Sequence, residues 1–457
     1  MTAGAARRRR GQARRRRRAR PAARPSFAAP SFAALVLAAW LGAQAATAEA
    51  TEAAASAQSP PAQAASEPPT GIARWLDPDS APFIPVPEIE TSPQSGVTVG
   101  IIPVFLSNNR KGEIDQILAP DIIHSSYFGW GARWRTFRNP SEDERWSVVG
   151  GGKQHAEREF DAEYDLGLLR EQPWSWVLHA MYDRSATGRF YGVGNGSPKG
   201  GETTFVNNQG RIEITAGRNF SRSMQLAYMA RLNTVEIEQG VLAGVPSIET
   251  RYPLLPGVGD EHELHQRLIV SYDTRDATEI PRHGERVTAF AGLTQRGLVS
   301  SVSYSFVGAD MSAYRPLRDD MTLAMHAALR YMPRVADAPF WALSAVGGDS
   351  YVLGEAQPLR AFGDSRYVDR NSFAGSVEVR MRVVTVHAFA TEVSLEPAPF
   401  VDFGKVFARM SENPLSRLHP AAGLGIRMLA VPFIVGYVDV GYGKDGVTVF
   451  TGIDYPF

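Results

Sequence analysis

The feature that most narrows the folds open to this chain is a period-two alternation of apolar and polar residues, sustained over runs of about ten residues. In residues 321–332, Met321, Leu323, Met325, Ala327, Leu329 and Tyr331 face one way, while Thr322, Ala324, His326, Ala328 and Arg330 face the other. Residues 377–383 set Val377, Val379, Met381 and Val383 against Glu378, Arg380 and Arg382. Residues 223–233 oppose Met224, Leu226, Tyr228, Ala230 and Leu232 to Gln225, Arg231 and Asn233. Alternation by itself buries one face of any antiparallel sheet, and a soluble sandwich shows it too. The runs here, however, have the length a tilted strand needs to cross a bilayer, and soluble strands are usually shorter. Their polar faces also carry Arg and Glu in mid-strand, which a soluble interior rejects and a water-lined lumen accepts.

These properties predict an all-β fold, a transmembrane antiparallel β-barrel of about 16 strands, an even number as in single-chain bacterial barrels. The candidate strands are 96–107, 126–137, 144–155, 158–169, 172–184, 208–219, 222–236, 261–274, 284–296, 300–314, 321–332, 372–383, 391–404, 419–430, 433–443 and 448–457. The longest interruption runs from Pro333 to Asn371, and a connection of that length usually has a function of its own.

The net charge of zero hides an asymmetry. Eleven of the 48 basic residues (Arg7 to Arg10, Arg14 to Arg18, Arg20 and Arg24) lie in the first 24 positions, leaving 37 against 48 acidic residues. The body is therefore acidic, which argues against a nucleic-acid partner. After the arginines come an apolar run at 32–41 and small-residue sites at Ala43-Gln44-Ala45 and Ala46-Thr47-Ala48. Basic, apolar, then small is the order of a cleaved secretory signal, here 1–48, and the apolar run is too short to span a bilayer as a helix. Residues 49–95 are expected to form a disordered or extended periplasmic linker, its disorder read from the biased composition up to about residue 73, and the barrel to occupy 96–457. Cysteine is absent, which removes disulfides and thiolate metal sites.

Three motifs stand out in the second half. The long loop holds Gly347 Gly348 Asp349 Ser350 and then Leu359 Arg360 Ala361 Phe362 Gly363 Asp364; one strand later the chain reads Phe400 Val401 Asp402 Phe403 Gly404. These resemble the Val-Arg-Gly-Phe/Tyr loop motif and the Phe-x-Asp-x-Gly strand motif of the Omp85 superfamily (bacterial surface antigen D15, the BamA and TamA relatives). Ala361 stands where that family usually has glycine. The resemblance implies that the long loop folds back into the lumen and that Arg360 pairs with Asp402, with Phe362 and Gly404 completing a loop-to-barrel lock. Strand facing agrees: with Leu395, Pro397, Pro399, Val401 and Phe403 toward lipid, Glu396, Phe400, Asp402 and Gly404 point inward. Asp273, Arg275, Asp276, Pro281 and Gly284 resemble the family's Asp-x-Arg-Asp…Pro-x-x-Gly hairpin, although an ordinary turn also uses Pro and Gly. The terminal Gly452, Tyr455 and Phe457 resemble the signal read by the barrel-assembly machinery. Family assembly factors carry periplasmic POTRA domains ahead of the barrel, and residues 49–95 are too few and too biased to form one.

Groupings that would imply chemistry are weak. His262 and His265 lie on opposite faces of a strand, and Asp402, Asp273 and Asp276 belong to the structural motifs. There is no Gly-x-Ser-x-Gly elbow, and the stretch Tyr191 Gly192 Val193 Gly194 Asn195 Gly196 lacks the βαβ unit of a nucleotide site, so a mobile loop is expected. The sequence thus predicts no catalytic, cofactor or metal residues. It predicts an outer-membrane pore that transports or inserts protein, lipid or solute, with membrane lipid and the assembly machinery as partners. A barrel enzyme such as a lipase or protease, or a structural surface antigen, remains as the alternative, and the cargo is not specified.

Overall fold

The structure, a computed structural model, describes residues 83–92, 96–109, 114–278, 280–349, 351–352, 355–356, 358–388, 391–430 and 433–452. The expected signal peptide, the greater part of the expected linker, and Tyr455 and Phe457 lie outside the described residues. The first half of the sheet comprises β1 (Ile84–Ser92), β2 (Gly96–Asn108), β3 (Ile114–Leu118), β4 (Asp121–Ser125), β5 (Gly129–Ser141), β6 (Glu144–Lys153), β7 (Arg158–Leu166), β8 (Trp174–Phe190), β9 (Thr203–Asn219) and β10 (Met224–Gln239). It continues through β11 (Asp260–Asp273), β12 (Gly284–Thr294), β13 (Ser303–Arg318) and β14 (Met321–Asp337). The long loop contributes the short strands β15 (Ser344–Val346), β16 (Tyr351–Val352), β17 (Glu355–Ala356) and β18 (Tyr367–Asp369). The wall resumes with β19 (Asn371–Met381), β20 (Val384–Ala388), β21 (Thr391–Phe407), β22 (His419–Ala430), β23 (Phe433–Gly443) and β24 (Gly446–Gly452).

Every wall strand pairs antiparallel with its neighbours in the sequence, and β1 meets β24 through Thr91 and Val449, so the pairings run full circle. A sheet whose last strand returns to its first is what a β structure needs to lie in lipid, where an open edge would leave backbone groups unpaired. The main sheet has twenty strands, but β3 with β4 and β19 with β20 each make one stave broken in two, so the ring has eighteen staves among the described residues. That corrects the count of about 16 read from the pattern. The two unforeseen staves are β1, which places wall inside the expected linker 49–95, and β3 with β4. Proline hid both of them. Pro85 and Pro87 sit within β1, and Pro120 breaks the ladder between β3 and β4, where the Ala119 amide still bonds the Arg135 carbonyl.

The side chains are distributed inside out relative to a soluble protein. Trp130, Trp134, Ile212, Leu232, Leu268, Val401 and Tyr442 are exposed on the outer face, while Arg231, Arg330, Arg380, Glu378, Asp402 and Arg427 are buried on the inner one. The alternation in β14 follows this division: Thr322, Ala324, His326, Ala328 and Arg330 are buried and the intervening residues only partly so. An apolar band facing out and charge facing in is the physical signature of a wall between lipid and a polar lumen.

The two ends of the barrel differ. At one end the connections are mostly tight turns; at the other lie the long loops 191–202, 240–259, 338–370 and 408–418. Phe190, Phe205, Val235, Ile248 and Phe340 form an apolar cluster at the loop end, with Phe340 centred 5.3 Å from both Phe190 and Phe205. Loop 338–370 turns inward, its β15 pairing with β18 and its arginine-bearing segment lying against the inner wall.

Candidate functional site

Arg360 reaches the wall because two backbones can touch. A Cβ placed on Gly441 of β23 would lie 1.6 Å from the Arg360 carbonyl oxygen, so only glycine leaves room for the loop there. Ala361 is accommodated in the same way. It is fully buried, and a Cβ on Gly443 would come within 2.9 Å of its methyl group, so the wall glycine supplies clearance that the loop residue does not. Leu359, Ala361 and Phe362 pack with Val346, Tyr367, Ala374, Val406 and Ala421, which fixes the loop from the apolar side. Phe362 meets Tyr367 edge-on at 5.7 Å.

The Arg360 guanidinium then finds a complete set of acceptors. Its Nε and Nη2 donate to Asp402 Oδ2 and Oδ1 at 2.9 and 2.8 Å, and its backbone amide also donates to Oδ2 at 2.9 Å. Nη1 donates to Glu378 Oε2 at 3.0 Å and to Asp439 Oδ2 at 2.9 Å, while Nη2 also reaches Ser376 Oγ at 3.1 Å. The Phe400 ring lies 3.6 Å beneath the guanidinium carbon. Two further arginines share the acids: Arg380 Nε donates to Glu378 Oε1 at 2.6 Å, and Arg427 Nη2 donates to Glu378 Oε2 at 3.1 Å. Three carboxylates face three guanidiniums with essentially no solvent exposure. Burial works against the charge on Arg360, but Asp402, Glu378 and Asp439 together hold its pKa well above the ordinary arginine value. Such a buried network holds only while every member is partnered, and removing one strands the rest.

The other residues singled out from sequence fall in three places. Gly404 lies on the inner face of β21, and an alanine methyl would meet only ordinary contacts of 3.4 Å or more there. The hairpin residues form a turn at the opposite end: Arg275 grips Asp273 at 2.8 and 3.0 Å, and Asp276 Oδ1 accepts the amides of Arg282 and His283 at 2.9 and 3.0 Å, while the Asp273 amide donates to the Ser223 carbonyl at 2.9 Å and Arg282 Nη2 to the Arg318 carbonyl at 3.2 Å. Burial pushes the Asp276 carboxyl up, yet the two amides hold it below the usual range. Gly284 has φ +94, and a Cβ would lie 2.1 Å from the Thr274 carbonyl, so this position requires glycine. Gly452 ends β24.

Sequence reasoning missed Glu378, Arg380, Arg427, Asp439 and Gly441 as parts of the Arg360 site. The available signals were the charged face Glu378-x-Arg380 of the 377–383 alternation and an acid followed by glycines at every second residue, Asp439-x-Gly441-x-Gly443, neither of which points to Arg360. It also missed two histidine–acid pairs on neighbouring strands, His179 with Asp161 and His326 with Asp310, each at 2.7 Å. His262 is exposed and His265 buried, on opposite faces of β11. Among the described residues, no group of three or more histidine or acidic side chains is arranged to hold a metal ion.

A closed antiparallel sheet with apolar residues outside, charge inside and a long loop bonded to its inner wall defines a transmembrane β-barrel with an internal loop. Residues 149–433 match the Omp85 superfamily domain, and the chain belongs to that superfamily. It is an Omp85-type outer-membrane barrel. Among solved structures it is similar to BamA from Haemophilus ducreyi lacking POTRA domains 1-3, at 12% identity and a TM-score of 0.48, covering 77% of this chain and 75% of that one. CdiB from Escherichia coli is similar at 11% identity and a TM-score of 0.49, covering 81% and 67%; CdiB from Acinetobacter baumannii gives 14% and 0.44, covering 78% and 65%. No curated protein matches the chain.

Proposed function

We propose that this barrel is a gated pore of the outer membrane, through or beside which protein, lipid or another solute is passed or inserted, and that loop 338–370 is its plug. The carrying observation is the buried Arg360 site. It ties the loop to β21, β19 and β23 at once, and pulling Arg360 away would leave three buried carboxylates undercompensated, so the loop is held inside the lumen against a large cost of release. The long loops occupy the outer end and the tight turns the periplasmic end, as the superfamily resemblance implies. No chemical reaction is part of this reading.

The test is single-channel recording of the purified protein in planar bilayers, comparing wild type with Asp402→Ala. Losing that carboxylate removes three of the bonds to Arg360 and leaves its guanidinium undercompensated, at a cost of about 3–5 kcal/mol to the docked loop. Larger or more frequent openings are expected, together with altered heat-modifiable gel mobility. A variant indistinguishable from wild type in both respects would remove the plug from the mechanism.

A further inference from the structure

The stretch Tyr191 to Gly196, which the sequence offers as a mobile loop, is tied down along its length. It leaves the wall at the top of β8 and rejoins it at β9, yet its partners lie on the far side of the ring. The Gly194 amide donates to the Val368 carbonyl of the inward loop at 2.7 Å, and Val193 forms a parallel bridge with Val368. Asn195 is bonded at three points. Its Nδ2 donates to the Arg417 carbonyl at 2.9 Å, its Oδ1 accepts the Val406 amide at 3.0 Å, and its carbonyl lies 3.0 Å from His419 Nε2. Gly192 and Gly194 have φ of +97 and +115, the backbone freedom that lets the segment turn out of the wall and cross.

A second loop arginine joins these contacts. Arg366 is buried between the rings of Tyr191 and Tyr367, 4.3 and 4.4 Å from their centroids. Its Nε donates to Asp445 Oδ2 at 2.5 Å, and its Nη1 donates to the Ser197 carbonyl at 3.2 Å. Asp445 lies in the turn between β23 and β24, the hairpin beside the closing pair Thr91–Val449. Lys199 also donates to the Asp445 carbonyl, at 3.3 Å. Arg360 and Arg366 therefore hold the same loop at different depths: one binds the inner wall, the other binds the mouth.

We propose that residues 191–197 are a strap across the loop end of the lumen, and that Arg366 and Asp445 form a latch joining strap, inward loop and final hairpin. Opening the latch frees the mouth while Arg360 stays anchored, so the barrel has an outer closure that moves separately from its plug. The gating consequence rests on the pore reading; the latch itself does not.

Two measurements on the full-length protein separate these. In hydrogen exchange, Asp445→Ala should speed exchange at Gly194 and Ser197 by about tenfold or more, while the Arg360 amide, bonded to Asp402, keeps its wild-type rate. Unchanged exchange at Gly194 overturns the latch, and equal acceleration at Arg360 overturns its independence from the plug. For gating, Val193→Cys with Val368→Cys places one cysteine pair across the bridge in a chain that has no other cysteine. Combined with Asp445→Ala, the oxidised pair should return channel openings to the wild-type frequency, and reduction should release them. If Asp402→Ala alters conductance and Asp445→Ala does not, the strap is no gate although the pore stands. If neither conducts, the pore reading fails, and exchange still decides whether the latch exists.

Discussion

Arg360 shows how little of a buried charge site one side chain determines. Its pairing with Asp402 could be anticipated because both residues sit in short motifs, but the site works as a balanced six-charge cluster whose four other members come from three further strands, β19, β22 and β23. Gly441 is as necessary as any charge, since its missing side chain is what lets the Arg360 backbone reach the wall. Gly441→Ala is therefore expected to undock the loop with every charge intact. Increased proteolysis within 338–370, at an unchanged strand signal in circular dichroism, would show it; a protease pattern identical to wild type would refute the steric argument. The arginine and the aspartate were legible because their neighbours mark them. The glycine was not, because its role exists only where two distant segments touch.

Among the elements, the hairpin 273–284 and the segment 191–197 give opposite lessons. In the hairpin the bonds that shape the turn itself link residues at most eleven apart, so its turn chemistry can be read from the sequence, whereas its ties to Ser223, Arg318 and Leu429 cannot. Gly284→Ala should destabilise it by at least about 1 kcal/mol, because a methyl group is forced onto the Thr274 carbonyl at positive φ. The measurable effect is a lower unfolding midpoint in urea, and an unshifted midpoint would argue that the turn relaxes. Asp276 adds a pH dependence of stated sign. Its folded pKa is depressed, so its contribution is present above the unfolded carboxylate pKa of about 3.9 and is lost as pH falls through the lower folded value. Asp276→Asn should abolish that acid-side loss, as seen in stability measured against pH. Segment 191–197 has partners more than two hundred residues away, and its glycines alone gave no sign of them.

For the molecule as a whole, assembly into the membrane is the step on which the motif at 452–457 bears. We propose that Gly452, Tyr455 and Phe457 act as an assembly signal, so that deleting Phe457 lowers the amount of heat-modifiable barrel in outer-membrane fractions several-fold; normal insertion would exclude that role. The class of fold was written in the sequence, because a period of two with charge on one face and apolar residues on the other depends only on residue order and on the pleat of a strand. The number of staves was not, because proline interrupts the pattern in β1 and between β3 and β4 while closure of the ring still pairs them. The inward loop's anchor was legible as a pair. Its full network, the glycine opening beneath it and the latch above it were decided by the tertiary structure alone, since barrel closure and an inward loop bring together residues that share no stretch of chain.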